Sequence, residues 1–301
     1  MQNLRLRIVL ILSLCIIGAW TGLLFFISFL PENNFPDYSK DDGTVSIVAT
    51  IYPLAWMASD LDPAATITTI VPPGVEPHDF SPTIDDVKTI HDAELLIVNG
   101  GVDAWIDDAT LQRNFPTILV LRGLQYPETD PHVWLDPVLM QDIVRAIGGQ
   151  LELTDSTRAE IIRENVSKKI AILQGIDDEY RAGLATCQIP EIVSAHDAFG
   201  FLAKRYGFTV HAISGFSPED EPSPSKLVEL TNLIRSHHIT TIFFEELVNP
   251  ALSKTLAQET GAKTDVLDPI ESLVSDEQMQ LEYPGLMKKN LEKLRTAMLC
   301  Q

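Results

Sequence analysis

Two α/β lobes, each a doubly wound parallel sheet, joined by one long α-helix with a cleft between them, are the architecture that the sequence predicts. Three observations predict it. Short β-branched runs alternate with helical segments from Val45 to Leu121, the same alternation restarts at Glu191, and residues 155–184 between them carry helical periodicity without strand signals. Strands separated by helices pair in parallel, with helices on both faces of the sheet. The length of 301 residues suits two domains of ordinary size.

In the first lobe, Val45–Thr50 reads as a strand, and Leu54–Leu61 as a helix started by Pro53. A strand at Thr66–Val71 leads into a Pro/Gly loop, then a helix at Thr83–His91 and a strand at Leu95–Asn99 ended by Gly100-Gly101. Trp105–Ala109 reads as a short helix and Thr117–Leu121 as the fourth strand. Val138–Leu151 places Leu139, Ile143, Val144 and Ile147 on one helical face. Thr154-Asp-Ser-Thr157 is a cap signal for the segment that follows, which runs to Leu184. Thirty helical residues would span about 45 Å, too long for a crossover, so this segment is expected to be a rigid connector beside both lobes. Without a Gly/Ser linker nearby, the lobes are expected not to swing freely.

The second lobe is expected to hold strands at Glu191–Ala195, Phe208–Ile213, Thr240–Phe244 and Lys263–Leu267. Helices are expected at Ala198–Tyr206 closed by Gly207, Ser225–His237, Ala251–Thr260 closed by Gly261, and Ser275–Leu299 interrupted at Tyr283-Pro-Gly285. The expected divisions are a leader and tether over 1–44, a first lobe over 45–150, a connector over 151–187 and a second lobe over 188–301.

A composition of 45% hydrophobic and 21% charged residues is globular. The formal charge of −20 argues against a nucleic-acid partner, because binding a polyanion needs clustered Lys and Arg. At the N-terminus, Arg5 and Arg7 precede 23 uncharged residues, Ile8–Leu30, enough for a helix of roughly 35 Å against a hydrocarbon core of about 30 Å. No small-x-small cleavage site follows. The expectation is an uncleaved anchor at residues 8–30 that exports residues 31 onward to the outer face of the cytoplasmic membrane, with a cleaved form or one lipidated at Cys15 as the alternative. Cys187 and Cys300 are then the pair available for a disulfide in an oxidising compartment, or two free thiols.

The candidate site rests on placement. His78 follows the second strand, His132 the fourth, His196 the first strand of the second lobe and Asp268 the last. Each lies past the carboxyl end of a parallel strand, where open α/β sheets bind their ligands. Two prolines stiffen the segment Asp130-Pro-His-Val-Trp-Leu-Asp-Pro137 that carries His132. Three imidazoles and a carboxylate make a four-coordinate site suited to Zn2+, with Mn2+ as the alternative. Glu76 and Glu245 are further candidates as ligands or outer hydrogen-bond partners, and Trp134 and Phe80 as walls. His91, His211, His237 and His238 read as structural. No His-Glu-x-x-His, Gly-x-Ser-x-Gly or phosphate-cradling glycine loop occurs, so a hydrolase is the lesser reading and no catalytic residue is expected.

Pro73-Gly-Val-Glu-Pro-His-Asp-Phe-Ser-Pro82, Asp130–Pro137, Ser194-Ala-His-Asp-Ala-Phe-Gly200, Pro218-Glu-Asp-Glu-Pro-Ser-Pro224 and Phe244-Glu-Glu-Leu-Val-Asn-Pro250 resemble the periplasmic solute-binding proteins of zinc and manganese ABC transporters, a family that includes metal-binding lipoproteins and adhesins. The resemblance covers about Val45 to Leu299. It implies two lobes on one long helix, ligands at His78, His132 and His196, a variable fourth position at Asp268, and an ABC permease as partner to a monomeric carrier. It also leaves a surface adhesin with a structural metal as an alternative. The long His-rich loop of many zinc members is absent, since Arg122–Thr129 is short and has no histidine.

Overall fold

A computed structural model describes residues 44–106, 113, 115–124 and 130–301; the anchor expected at 8–30, nearly all of its tether and most of the helix expected at Trp105–Ala109 lie outside these. Strands β1 (Val45–Ala49), β2 (Ala65–Thr69), β3 (Leu95–Val98) and β4 (Thr117–Leu119) form an all-parallel sheet in the order β2-β1-β3-β4. Strands β5 (Glu191–Ser194), β6 (Thr209–Ala212), β7 (Thr241–Phe244) and β8 (Lys263–Val266) repeat it as β6-β5-β7-β8. β3 reads Leu-Leu-Ile-Val and is buried throughout, as a strand covered on both faces must be.

Local chemistry fixes the helix ends. Helix α1 (Tyr52–Ala58) carries Pro53 in its first turn, and α2 (Ile84–Asp92) starts on a reciprocal capping box between Thr83 and Asp86. A single turn, α3 (Val120–Gly123), takes over at Val120, where a continuing strand was expected. Helix α4 (Pro137–Thr154) pairs Pro137 at its first position with Asp136, whose carboxylate accepts from the amides of Val138 and Leu139. It crosses the division expected at 150.

The connector is α5 (Ala159–Gly183), shorter than the thirty residues expected because Ser156–Arg158 form a separate 3-10 turn capped by Asp155. In the second lobe follow α6 (Gly200–Tyr206), α7 (Pro224–His237), α8 (Ala251–Thr260) and α9 (Asp276–Ala297). Gly207 and Gly261 close α6 and α8 in the left-handed conformation. α9 breaks at Glu282, just before Pro284, where the sequence marks an interruption. α5 packs on both α4 and α9. The Tyr180 hydroxyl donates to the Met287 carbonyl at 2.7 Å, and the buried Lys169 ammonium donates to the Trp56 carbonyl at 3.0 Å. One apolar core runs through Ile47 and Leu54, Leu173 and Tyr180, and Phe199, Phe243 and Leu291, so the connector is embedded in both lobes rather than laid beside them. Of the two readings of the cysteines the structure takes the disulfide, which ties Cys187 beyond α5 to Cys300 at the chain end.

The contact of α4 with α5 gives a stability prediction. A Cβ on Gly148 would run into Val166, whereas nothing lies near one on Gly149. Either alanine gains about 1 kcal/mol of helix propensity, but overpacking costs roughly 1–3 kcal/mol at 148 alone. Denaturant unfolding should therefore find Gly149→Ala more stable than Gly148→Ala by about 1–3 kcal/mol. Equal stabilities would mean that the two helices part at that point without cost.

Candidate metal centre

Each loop that carries a candidate ligand is held by its own hydrogen bonds. Glu76 caps the 3-10 turn Pro77–Asp79 by accepting from the His78 amide at 3.2 Å. Asp130 Oδ1 accepts from the His132 amide and meets His132 Nδ1, both at 3.0 Å. Behind that segment, Asn99 Nδ2 donates to the Pro131 carbonyl at 2.9 Å, and Gly101 (φ 82) lies so close that a Cβ there would sit 2.8 Å from Pro131 Cβ. Only glycine suits that turn. His196 follows β5, and its Nδ1 meets Glu245 Oε1 at 2.7 Å.

These loops bring His78, His132 and His196 together with Glu271, their donor atoms all within 4.8 Å of one another. Glu271 Oε1 lies 3.2 Å from His132 Nε2, 3.6 Å from His196 Nε2 and 3.7 Å from His78 Nε2, and the Nε2 atoms of His132 and His196 are 3.2 Å apart. Ligand atoms at zinc bond lengths sit about 3.3 Å apart at the corners of a tetrahedron. The four separations match that edge. Glu271 Oε1 and His78 Nε2 are buried and make no hydrogen bond of proper geometry, which is the condition of atoms shaped to receive an ion. The Nδ1 contacts to Asp130 and Glu245 fix the tautomer that leaves each Nε2 lone pair facing the centre.

Asp268 is not among the four. Its Oδ1 accepts from the Ile270 amide at 2.7 Å, its Oδ2 from Gln278 Nε2 at 3.0 Å, and Asn290 holds its backbone on both sides. This is an Asx turn. It holds Ile270 at φ 58, a rare conformation for a β-branched residue, and turns the chain so that Glu271 faces the histidines. Glu271 was missed because Asp268 is the first carboxylate past β8; the residue three positions on was the available signal. Glu245 is an outer partner of His196, Glu76 a cap, and Trp134 a wall, stacked edge-on 5.2 Å from His132 with its Nε1 donating to the Pro269 carbonyl at 2.7 Å. Phe80 packs on Trp105. His91 is exposed at the end of α2.

Burial opposes a charge on His132, but the hydrogen bond to Asp130 and the nearby Glu271 carboxylate outweigh it and raise its pKa. His196 is likewise desolvated, and Glu245 with Glu271 holds it well above the ordinary value. Burial would push Glu271 up, yet the imidazoles of His132, His196 and His78 gathered around it keep it well below the usual carboxylate range. Asp268 is pushed up to about 7, chiefly by burial and, against the Ile270 hydrogen bond, by the charges of Glu246, Glu271 and Glu245. Ion-free, the centre is thus a carboxylate beside two imidazoles, His132 and His196, that keep their protons to a higher pH than usual.

Residues 47–297 match the family described as zinc-uptake complex component A periplasmic, ZnuA. The high-affinity zinc uptake system protein ZnuA of Bacillus subtilis (strain 168) is 33% identical over 286 residues, 87% of this chain and 89% of that protein. The zinc-binding lipoprotein AdcA of Streptococcus pneumoniae serotype 4 is 34% identical over 84% of this chain, which spans 56% of AdcA's length. Among solved structures, the Zn(II)-bound ZnuA-like domain of Streptococcus pneumoniae AdcA superposes with a TM-score of 0.72 at 33% identity, covering 85% of this chain and 99% of that one. The laminin binding protein of Streptococcus agalactiae, described as bifunctional with adhesin and metal transporting activity, gives 0.76 at 29% identity, over 84% and 99%. By motif, architecture and the extent of these matches, the chain belongs to the ZnuA family, the periplasmic component A of zinc-uptake complexes.

Proposed function

We propose that this chain binds zinc outside the cytoplasm, between His78, His132, His196 and Glu271, and delivers it to the permease of an ABC importer. The observation that carries the reading is the set of three imidazoles and one carboxylate, all but His78 fully buried, with donor atoms within 4.8 Å of one another. Four protein donors close a tetrahedron and leave no position for a reactive water, which suits a carrier rather than a hydrolase. Manganese prefers octahedral oxygen sites, so the donor set favours zinc. The anchor at residues 8–30 and a monomeric state complete the proposal, since an anchored monomer still presents its ion to a permease in the same membrane. The likeness to laminin binding proteins adds adhesion as a second reading that retains the metal site.

The test is competition on protein purified without a histidine tag. One tightly held zinc that manganese does not displace at equal concentration is the expected result; displacement by manganese would change the cargo, and tight binding of neither would overturn the reading.

Protons compete for the same atoms. His132 and His196 have raised pKa values in the ion-free protein, so their protons stay on to a higher pH, and zinc must expel them to reach Nε2. Zinc titrated into weakly buffered protein at neutral pH should acidify the solution, and its affinity should fall steadily as pH is lowered. A pH-independent affinity between pH 5 and 8 would contradict imidazole ligation.

A further inference from the structure

A second cluster of histidine and carboxylate side chains lies in the second lobe, away from the cleft. Glu191 begins β5, whereas His196 lies beyond the other end of that strand. β5 pairs with β6 so that Glu191 faces Thr209 and Val193 faces His211. Side chains two apart on a strand share a face, so Glu191, Val193 and His211 stand on one side of the sheet. Val193 packs there against Leu230 and Ile234 of α7, and the last residue of α7 is His237.

The three polar side chains meet at one point. Glu191 Oε2 is 2.8 Å from His211 Nε2 and 2.8 Å from His237 Nδ1, whose distance to Oε1 is 3.0 Å. The two rings are 6.5 Å apart and nearly perpendicular. Among the described residues no Lys or Arg forms an ion pair with Glu191, so its charge is met by the imidazoles alone. The side chains of Glu191, His211 and His237 are 25%, 20% and 46% exposed, open enough for a hydrated ion to reach them.

We propose that Glu191, His211 and His237 form a second, weaker site for a divalent transition-metal ion such as zinc. Two imidazole nitrogens reach one carboxylate oxygen, although as they stand the nitrogens are too far apart to share one ion, and two histidines with a glutamate are a known zinc donor set. The present 2.8 Å contacts must open, and the two nitrogens close, to about 3.3 Å, a change that rotation of the half-exposed His237 at the helix end supplies. Water completes the coordination. The site is weaker than the cleft because it has three protein donors instead of four, is partly hydrated, and must break these hydrogen bonds to form. Bound, the ion fastens the end of α7 to β5 and β6.

The proposal is independent of the cleft reading, and zinc titration of the full chain tests it. The wild type should bind two zinc ions, the second at least tenfold more weakly. His237→Gln and His211→Gln should each abolish the second event and leave the first unchanged, with circular dichroism confirming that the variants are folded. A wild type that lacks the tight event but keeps a weak one sensitive to His237→Gln would sink the cleft reading and support this one. Binding of a single zinc by the wild type, or a second event that survives both substitutions, would show that the cluster is a hydrogen-bonded surface network only.

Discussion

His132→Ala lowers zinc affinity by about a thousandfold or more, and the protein still folds. Loss of an outer partner of a ligating histidine costs about 10- to 100-fold, and this substitution removes the ligand itself along with its carboxylate partner's role. The fold survives because His132 belongs to a loop whose backbone is held separately, by Asn99 to the Pro131 carbonyl and by Tyr283 to the Trp134 carbonyl at 2.6 Å. The internal control is His91→Ala, at an exposed position on the end of α2, where binding should not change. Competition against a chelating dye measures both. Equal affinity in wild type and His132→Ala would remove His132 from the site.

The second large effect separates two neighbouring carboxylates. Glu271→Gln removes the one anionic donor among the four and should cost more than the roughly 10- to 100-fold of an outer partner. Asp268→Asn keeps an oxygen to accept from the Ile270 amide, so the turn survives and zinc affinity should stay within a few-fold of wild type. Asp268→Ala removes that acceptor and should lower the melting temperature as well as weaken binding, because Ile270 is left at φ 58 without its support. If Asp268→Asn were the damaging change and Glu271→Gln the mild one, the coordination sphere would have to be redrawn with Asp268 inside it.

Glu271 marks the limit of what strand-end placement can read from sequence. The rule that ligands sit past the carboxyl ends of parallel strands picks out the three histidines that the structure gathers with Glu271, because each imidazole is the obvious donor in its loop. It could not choose between Asp268 and Glu271. An aspartate in front of a proline is as ready to order a turn as to hold a metal, and which it does depends on where Gln278 and Asn290 of α9 reach it. The alternation of strands and helices was legible from β-branched runs and from Pro and Gly boundaries, so both sheets were expected where they occur. The continuous core through α5 was not, since periodicity says that a helix has an apolar face but not which partners share it. His211 and His237 read as structural for the same reason: their common partner Glu191 is distant in sequence, and only the pairing of β5 with β6 and the end of α7 brings them together.

Anomalous scattering at the zinc edge, from crystals of the zinc-loaded protein, tests the central claim most directly. The strongest peak should lie in the cleft, with the Nε2 atoms of His78, His132 and His196 and one oxygen of Glu271 at about 2.0–2.2 Å. A peak bonded to Asp268 instead of Glu271, or no peak between the lobes, would contradict it.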